Sequence, residues 1–334
     1  MAGPGSTAPG TGGTGGAAGS KGTGGGGQGS GGRTSADAGA GRGTGGTNGA
    51  SGAGSGAGGG GGASGGAGSA SGGAGGGASG AGGGRNYSTN RDDFFGASRC
   101  ATAGVLLCDD FESGTLNTAL WKVKSQAPTF DSTRAARGST SVHFHTTATG
   151  VSGIETSKIF PANLDTYYGR LFVYFAPLPT SPQWAHWTIV GANPTSASSI
   201  KGEIRVGGQF DGTINRFGVG TDGGPTGDWT NLDNDKMAGS TKVPEGQWIC
   251  IEWMHDGDSD ETRFFWDGVD HPSLDTTMTT KHQGNASVQY TLPDFASVWV
   301  GFWNYDQGKT VVPDHFDVWI DEVALDSARI GCDI

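Results

Sequence analysis

Four residues carry side chains suited to acid–base work on an anionic substrate. Arg205 and Gln209 stand four apart in Ile204-Arg205-Val206-Gly207-Gly208-Gln209, so on a strand both point to one face. A guanidinium and an amide placed there can hold a carboxylate. His186, in Trp184-Ala185-His186-Trp187, shares a strand face with Trp184, and Tyr305 closes Phe302-Trp303-Asn304-Tyr305. Imidazole and phenol are groups that take and return protons in general acid–base catalysis. Each residue also has a purely structural alternative. Arg205 can pair with an acid, His186 can be a hydrogen-bonded strand histidine, and Tyr305 can be packing or stacking.

Other chemistries lack their residues. No Glu-x-Asp-x-x-Glu string places two carboxyls on a strand for retaining glycoside hydrolysis. No Gly-x-Ser-x-Gly string joins a strand to a helix. There is no His-Glu-x-x-His zinc motif. The glycine runs do not sit between a strand and a helix, so they form no phosphate loop.

The elements that must position these side chains read as β. Short apolar or alternating runs occur at 105–111, 141–146, 171–176, 184–190, 200–206, 248–254, 262–266, 297–303 and 316–325. They are rich in Val, Ile, Thr and aromatic residues. In Ser141-Val142-His143-Phe144-His145, Val and Phe face one way and both histidines the other. Asp211-Gly212, Gly223-Gly224-Pro225, Asp256-Gly257, Asp267-Gly268 and Asn193-Pro194 punctuate the runs as turns. No helical period runs beyond about ten residues. A dozen or so strands in one region predict an all-β, two-sheet jelly-roll sandwich. One curved sheet of such a fold can take a linear polymer. Ten Trp exceed what a core needs, because Trp is seldom fully buried, although most of the aromatics are expected in the core.

Composition divides the chain. The first 84 of 334 residues hold 42 of the 67 glycines and no Trp, Tyr or Phe. Such a segment has little apolar surface to bury, so residues 1–85 are expected to be a disordered spacer. Residues 86–334 are expected to be one globular domain. They carry 17 basic and 31 acidic residues, a net charge of −14. That excludes a nucleic-acid binder, which needs a basic face. No apolar run of about 18 residues exists to span a membrane. The start, MAGPGSTAPG, lacks the basic and apolar regions of a secretory signal. A start further upstream or an unusual export route is expected for a protein placed outside the cell or on its surface.

Cys100, Cys108, Cys250 and Cys332 form no CxxC pair, which argues against zinc. Cys100 and Cys108 flank a turn-like stretch and can pair locally, leaving Cys250 with Cys332; four free thiols are the alternative. Disulfides would fit an oxidising compartment. Asp256-Gly257-Asp258-Ser259-Asp260-Glu261 imitates an EF-hand loop, but Glu261 stands where Gly is needed. It reads as an acidic hairpin tip.

Three stretches resemble a known family. They are Cys108-Asp109-Asp110-Phe111-Glu112-Ser113-Gly114, Ile204 to Gln209, and Trp319-Ile320-Asp321-Glu322-Val323-Ala324-Leu325 with Arg329-Ile330-Gly331-Cys332. Together they resemble the core domain of the cellulose-induced secreted protein (Cip) family of fungi and bacteria. The likeness spans about residues 100–334, and the first and last motifs are shared by many concanavalin A-like jelly rolls. The resemblance implies that fold, a structural calcium ion with Glu112 and Asp321 as carboxylate ligands, and kinship with glucuronan and alginate lyases. It also implies a groove containing Arg205 and Gln209. Such lyases cleave uronate polymers by β-elimination. One group neutralises the substrate carboxylate, a base takes the adjacent proton, and an acid protonates the leaving oxygen. His186 and Tyr305 are the candidates for the last two roles. This chain departs from the pattern at Glu203, where the fungal relative has His. A monomeric, polysaccharide-active protein is expected. The alternatives are a non-catalytic carbohydrate-binding module and a surface adhesion domain on a flexible stalk.

Overall fold

The computed structural model describes residues 85, 87–147, 149–162, 165–222, 229–230, 242–271, 291–305 and 308–334. All fall in one compact unit, Ser79–Ile334. The expected disordered arm lies, apart from Arg85, outside the described residues. So does the turn signal at Gly223-Gly224-Pro225.

Among the described residues fifteen strands run in chain order: β1 (Leu107–Asp109), β2 (Lys122–Ser125), β3 (Thr129–Asp131), β4 (Ser141–Thr147), β5 (Val151–Thr156), β6 (Thr166–Phe175), β7 (His186–Pro194), β8 (Glu203–Phe210), β9 (Asn215–Asp222), β10 (Trp229–Thr230), β11 (Trp248–Asp256), β12 (Glu261–Trp266), β13 (Val269–Asp270), β14 (Phe295–Tyr305) and β15 (His315–Asp326). A 3₁₀ turn spans Arg91–Asp93. An eight-stranded sheet has the order β13-β12-β11-β6-β15-β4-β3, with β1 also on β15; a seven-stranded sheet has the order β10-β9-β8-β7-β14-β5-β2. Every strand pairing is antiparallel. This is the two-sheet jelly-roll sandwich the sequence predicts.

Strand alternation builds the core. Val142 and Phe144 of β4, Ile204 and Val206 of β8, and Val298, Val300 and Phe302 of β14 are buried in one apolar cluster between the sheets. Burial of a side chain of this class contributes about 1.5–3 kcal/mol. His143 and His145 face outward, as their alternation predicts, and both meet the Asp317 carboxylate, at 2.7 and 2.8 Å. Four buried tryptophans, Trp121, Trp187, Trp253 and Trp299, account for much of the aromatic excess.

Other expectations need correction. Strands β2, β3, β5, β9, β10 and β13 fall outside the runs given above; most are short or carry few apolar residues, and in β9 the core-facing Phe217 and Val219 alternate with glycines that weaken the strand signal. Asn193-Pro194 is the end of β7 rather than a turn. Asp256 to Glu261 does form the acidic hairpin tip between β11 and β12, with the Asp256 carboxylate accepting from Thr166 and Ser259.

The outer face of the eight-stranded sheet carries a second apolar cluster of Phe94, Ala136, Phe172, Cys250 and Cys332. Disulfides join Cys100 to Cys108 and Cys250 to Cys332. Beside them the pairing of β15 with β6 shifts register between Asp321 and Ala324, and both Asp321 and Glu322 end up buried. Glu322 is held by the equally buried guanidinium groups of Arg137 and Arg170.

Candidate functional site

The outer face of the seven-stranded sheet gathers the four candidate residues. On β8, Ile204 and Val206 point into the core, which leaves Glu203, Arg205 and Gln209 outside. On β7, Trp187 and Val190 point inward and His186 and Thr188 outward. On β14, Phe302 points inward, and Trp303 and Tyr305 bracket the buried Asn304.

Register turns this alternation into rows. Arg216, Gln209, His186 and Tyr305 are successive cross-strand partners on β9, β8, β7 and β14. The next row is Gly218, Gly207, Thr188 and Trp303, and the third contains Gly220, Arg205, Gly191 and Trp299. Register shifts between Thr188 and Val190 on β7, and between Val300 and Trp303 on β14, fall between the second and third rows. Bulges of this kind bend a sheet and re-aim its side chains.

His186 and Tyr305 therefore stand side by side, with ring centroids 4.7 Å apart. Trp303 lies 6.2 Å from His186 and 5.8 Å from Tyr305. Tyr305 is 43% exposed, so a ligand can reach this corner. The His186 Nδ1–H donates to the Trp184 carbonyl over 3.3 Å. That tautomer places the basic lone pair on Nε2. Trp184 itself has φ +73°, a left-handed conformation rare for a bulky residue. Its N–H donates to the Phe210 carbonyl, which ties this turn to the end of β8.

Gln209 is buried, and its Oε1 has no hydrogen-bond partner among the described residues. Arg205 leans over Trp303, with its guanidinium carbon 4.1 Å from the ring centroid. All four candidates thus share one face, and Trp303 links Arg205 to the His186–Tyr305 pair. The Arg205 charge is already matched, however. Its Nε and one terminal nitrogen donate to Glu203 Oε2 at 3.0 and 2.9 Å. The other Glu203 oxygen accepts from the Trp299 indole N–H. That bond passes over Gly191, where a Cβ would lie 2.1 Å from the indole nitrogen. Opposite charges two apart on a strand share a face, so the Glu203–Arg205 pair was legible as a possibility. The contribution of Trp303 depends on register and was not.

Glu112 and Asp321 meet the same loop from two ends. Glu112 accepts from the backbone N–H groups of Ser139 and Thr140, each at 2.8 Å, and from the Ser139 hydroxyl. Gly138, φ +65°, leaves room for this carboxylate. Asp321 accepts from the N–H groups of Ala136 and Arg137, at 2.8 and 3.0 Å. Burial pushes the Asp321 carboxyl up to about 7 against the opposing pull of these N–H groups. Both carboxylates thus fasten one segment, 136–140, and all four of their oxygens accept N–H or O–H donors. Among the described residues no group of three or more His, Cys, Asp and Glu side chains is arranged to hold a metal ion.

No protein-family model matches the chain, and no curated protein does. Solved structures are similar to it. The cellulose induced protein Cip1 aligns at 18% identity and a TM-score of 0.52, over 68% of this chain and 99% of that one. An endo-β-1,4-glucuronan lyase from the fungus Trichoderma reesei aligns at 12% identity and a TM-score of 0.43, over 67% and 96% of the two chains. The alginate lyase AlyC3 aligns at 10% and 0.35, over 56% and 74%. Fold is what likeness at such identity establishes, and the chain shares the concanavalin A-like sandwich of Cip1.

Proposed function

We propose that the protein is a polysaccharide lyase-like enzyme that holds a glycan across β8, β7 and β14 and cleaves uronate linkages by β-elimination. The observation that carries this reading is the His186–Tyr305 pair, a half-buried imidazole against an exposed phenol, on the face that also presents Gln209 and Arg205. In this reading Gln209, with Arg205 above Trp303, holds the sugar carboxylate and makes the neighbouring C–H acidic. One member of the His186–Tyr305 pair takes that proton. The electron pair forms the new C=C bond, the C–O bond to the leaving sugar breaks, and the other member protonates the leaving oxygen. Trp303 supplies an apolar ring for the sugar face. Two disulfides support an extracellular setting, and among the described residues no helix is long and apolar enough to cross a membrane.

The test is the ultraviolet absorbance of the unsaturated uronate product during incubation with glucuronan, alginate and pectate. Growth of that band in wild type and its loss in His186→Ala supports the lyase. A flat trace with retained glycan binding favours a carbohydrate-binding module. The Glu203–Arg205 ion pair favours this second reading, because it consumes the cation an enzyme would spend on substrate.

A structural calcium ion held by Glu112 and Asp321 belongs to the same proposal. It would neutralise two carboxylates and fasten the 136–140 segment. A higher melting temperature in calcium than in EGTA is expected; equal melting removes the ion from this reading.

A further inference from the structure

A cavity of about 400 Å³ opens at the far end of the same sheet, bounded by Lys122, Glu155, Lys158, Ser297 and the segment 118–121. Lys122 and Lys124 alternate on β2, opposite Glu155 and Gly153 of β5. The Lys124 ammonium lies 5.1 Å from the Trp299 ring centroid. Three of the eight lysines in residues 86–334 therefore sit together in a region whose net charge is −14. The one acid lining the cavity, Glu155, is occupied, accepting from the Asn193 amide and the Ser297 hydroxyl. Local charge at this corner is thus opposite in sign to that of the domain.

Position ties the cavity to the reaction face. Glu155 and Lys122 extend the row of Arg205, Gly191 and Trp299. From His186 to Lys122 is three strand spacings across and five to six residues along, roughly 20–25 Å on the diagonal. That is the span of several linked pyranose rings, and Trp303 lies between. The volume suits one sugar ring with its water, and an ammonium is a compact point charge suited to a carboxylate.

We propose that this cavity is a distal subsite for a carboxylate-bearing sugar unit, with Lys122 and Lys158 as its anion-binding residues. The inference rests on the lyase-like reading for the identity of the polymer and deepens it. The subsite selects long, charged chains, offsets the repulsion between an acidic protein and an acidic polymer, and takes no part in bond breaking.

The test uses the full chain with both lysines changed, Lys122→Gln with Lys158→Gln, and short and long oligouronates. Both side chains are exposed, so wild-type melting is expected. For long oligouronates KM and Kd are expected to rise about tenfold, ~1.4 kcal/mol, with kcat unchanged. Short oligouronates are expected to behave as in wild type, and neutral glucans of equal length to bind weakly to both. Unchanged long-chain affinity in the double variant overturns the subsite, as does equal wild-type affinity for a neutral chain. Calorimetry reads these outcomes without turnover, so failure of the subsite and failure of the lyase reading are separable.

Discussion

His186 on β7 and Tyr305 on β14 are direct cross-strand partners whose ring centroids lie 4.7 Å apart. The contact joins a group that accepts protons to one that donates them. If the pair performs elimination, Tyr305→Phe and His186→Ala each lower kcat by about 10²–10⁴-fold. Tyr305→Phe should leave the affinity for uronate oligomers within about twofold, because the ring that stacks is kept. Calorimetry beside the absorbance assay checks both statements.

Glu203 restrains Arg205, and removing that restraint should be visible in binding. Glu203→Gln frees the guanidinium while keeping side-chain size. Uronate oligomers are expected to bind more tightly, with a steeper dependence on salt. The two side chains are 10–15% exposed, so loss of the pair also costs about 1–3 kcal/mol of stability. Isothermal titration at two ionic strengths and urea denaturation measure the two effects.

The loop clamp makes a separate stability prediction. Asp321→Ala strips the acceptor from Ala136 and Arg137, and from the Glu322 N–H at 2.8 Å. Three stranded donors in a buried site cost about 3 kcal/mol or more. Glu112 is exposed at the surface, so Glu112→Gln is expected to cost about 1 kcal/mol or less. Urea denaturation of the two variants should rank them in that order.

His255 sets one component of the pH dependence of folding. Burial lowers its pKa to about 3, outweighing the opposing Met254 backbone contribution. The unfolded chain protonates near the ordinary value of 6.5, so it binds more protons than the native state in between. The stability from this group is full above pH 6.5 and falls as pH drops toward 3, by up to ~1.4 kcal/mol per pH unit. The Asp321 carboxyl, raised to about 7, acts with the opposite sign below that value. The difference between wild type and His255→Phe therefore isolates the histidine. That difference should shrink steadily on acidification, as followed by chemical denaturation.

By itself the sequence determined the fold class, the inward and outward faces of β7, β8 and β14, and a pairing of the four cysteines that the structure adopts. Those features follow from local alternation and short-range spacing, which a chain carries wherever it folds. The tertiary structure decided the rest. Register between β8, β7 and β14 brought Gln209, His186 and Tyr305 into one row across 119 residues of chain, from His186 to Tyr305. The register shift in β15 buried Asp321 and Glu322 together, where strict alternation would separate them. Local pattern could not foresee that the Arg205 guanidinium would lie over the face of Trp303. Nor could it show that Lys122 and Lys158 would border one cavity. Cross-strand pairing is a non-local choice, and it fixes which side chains share a surface.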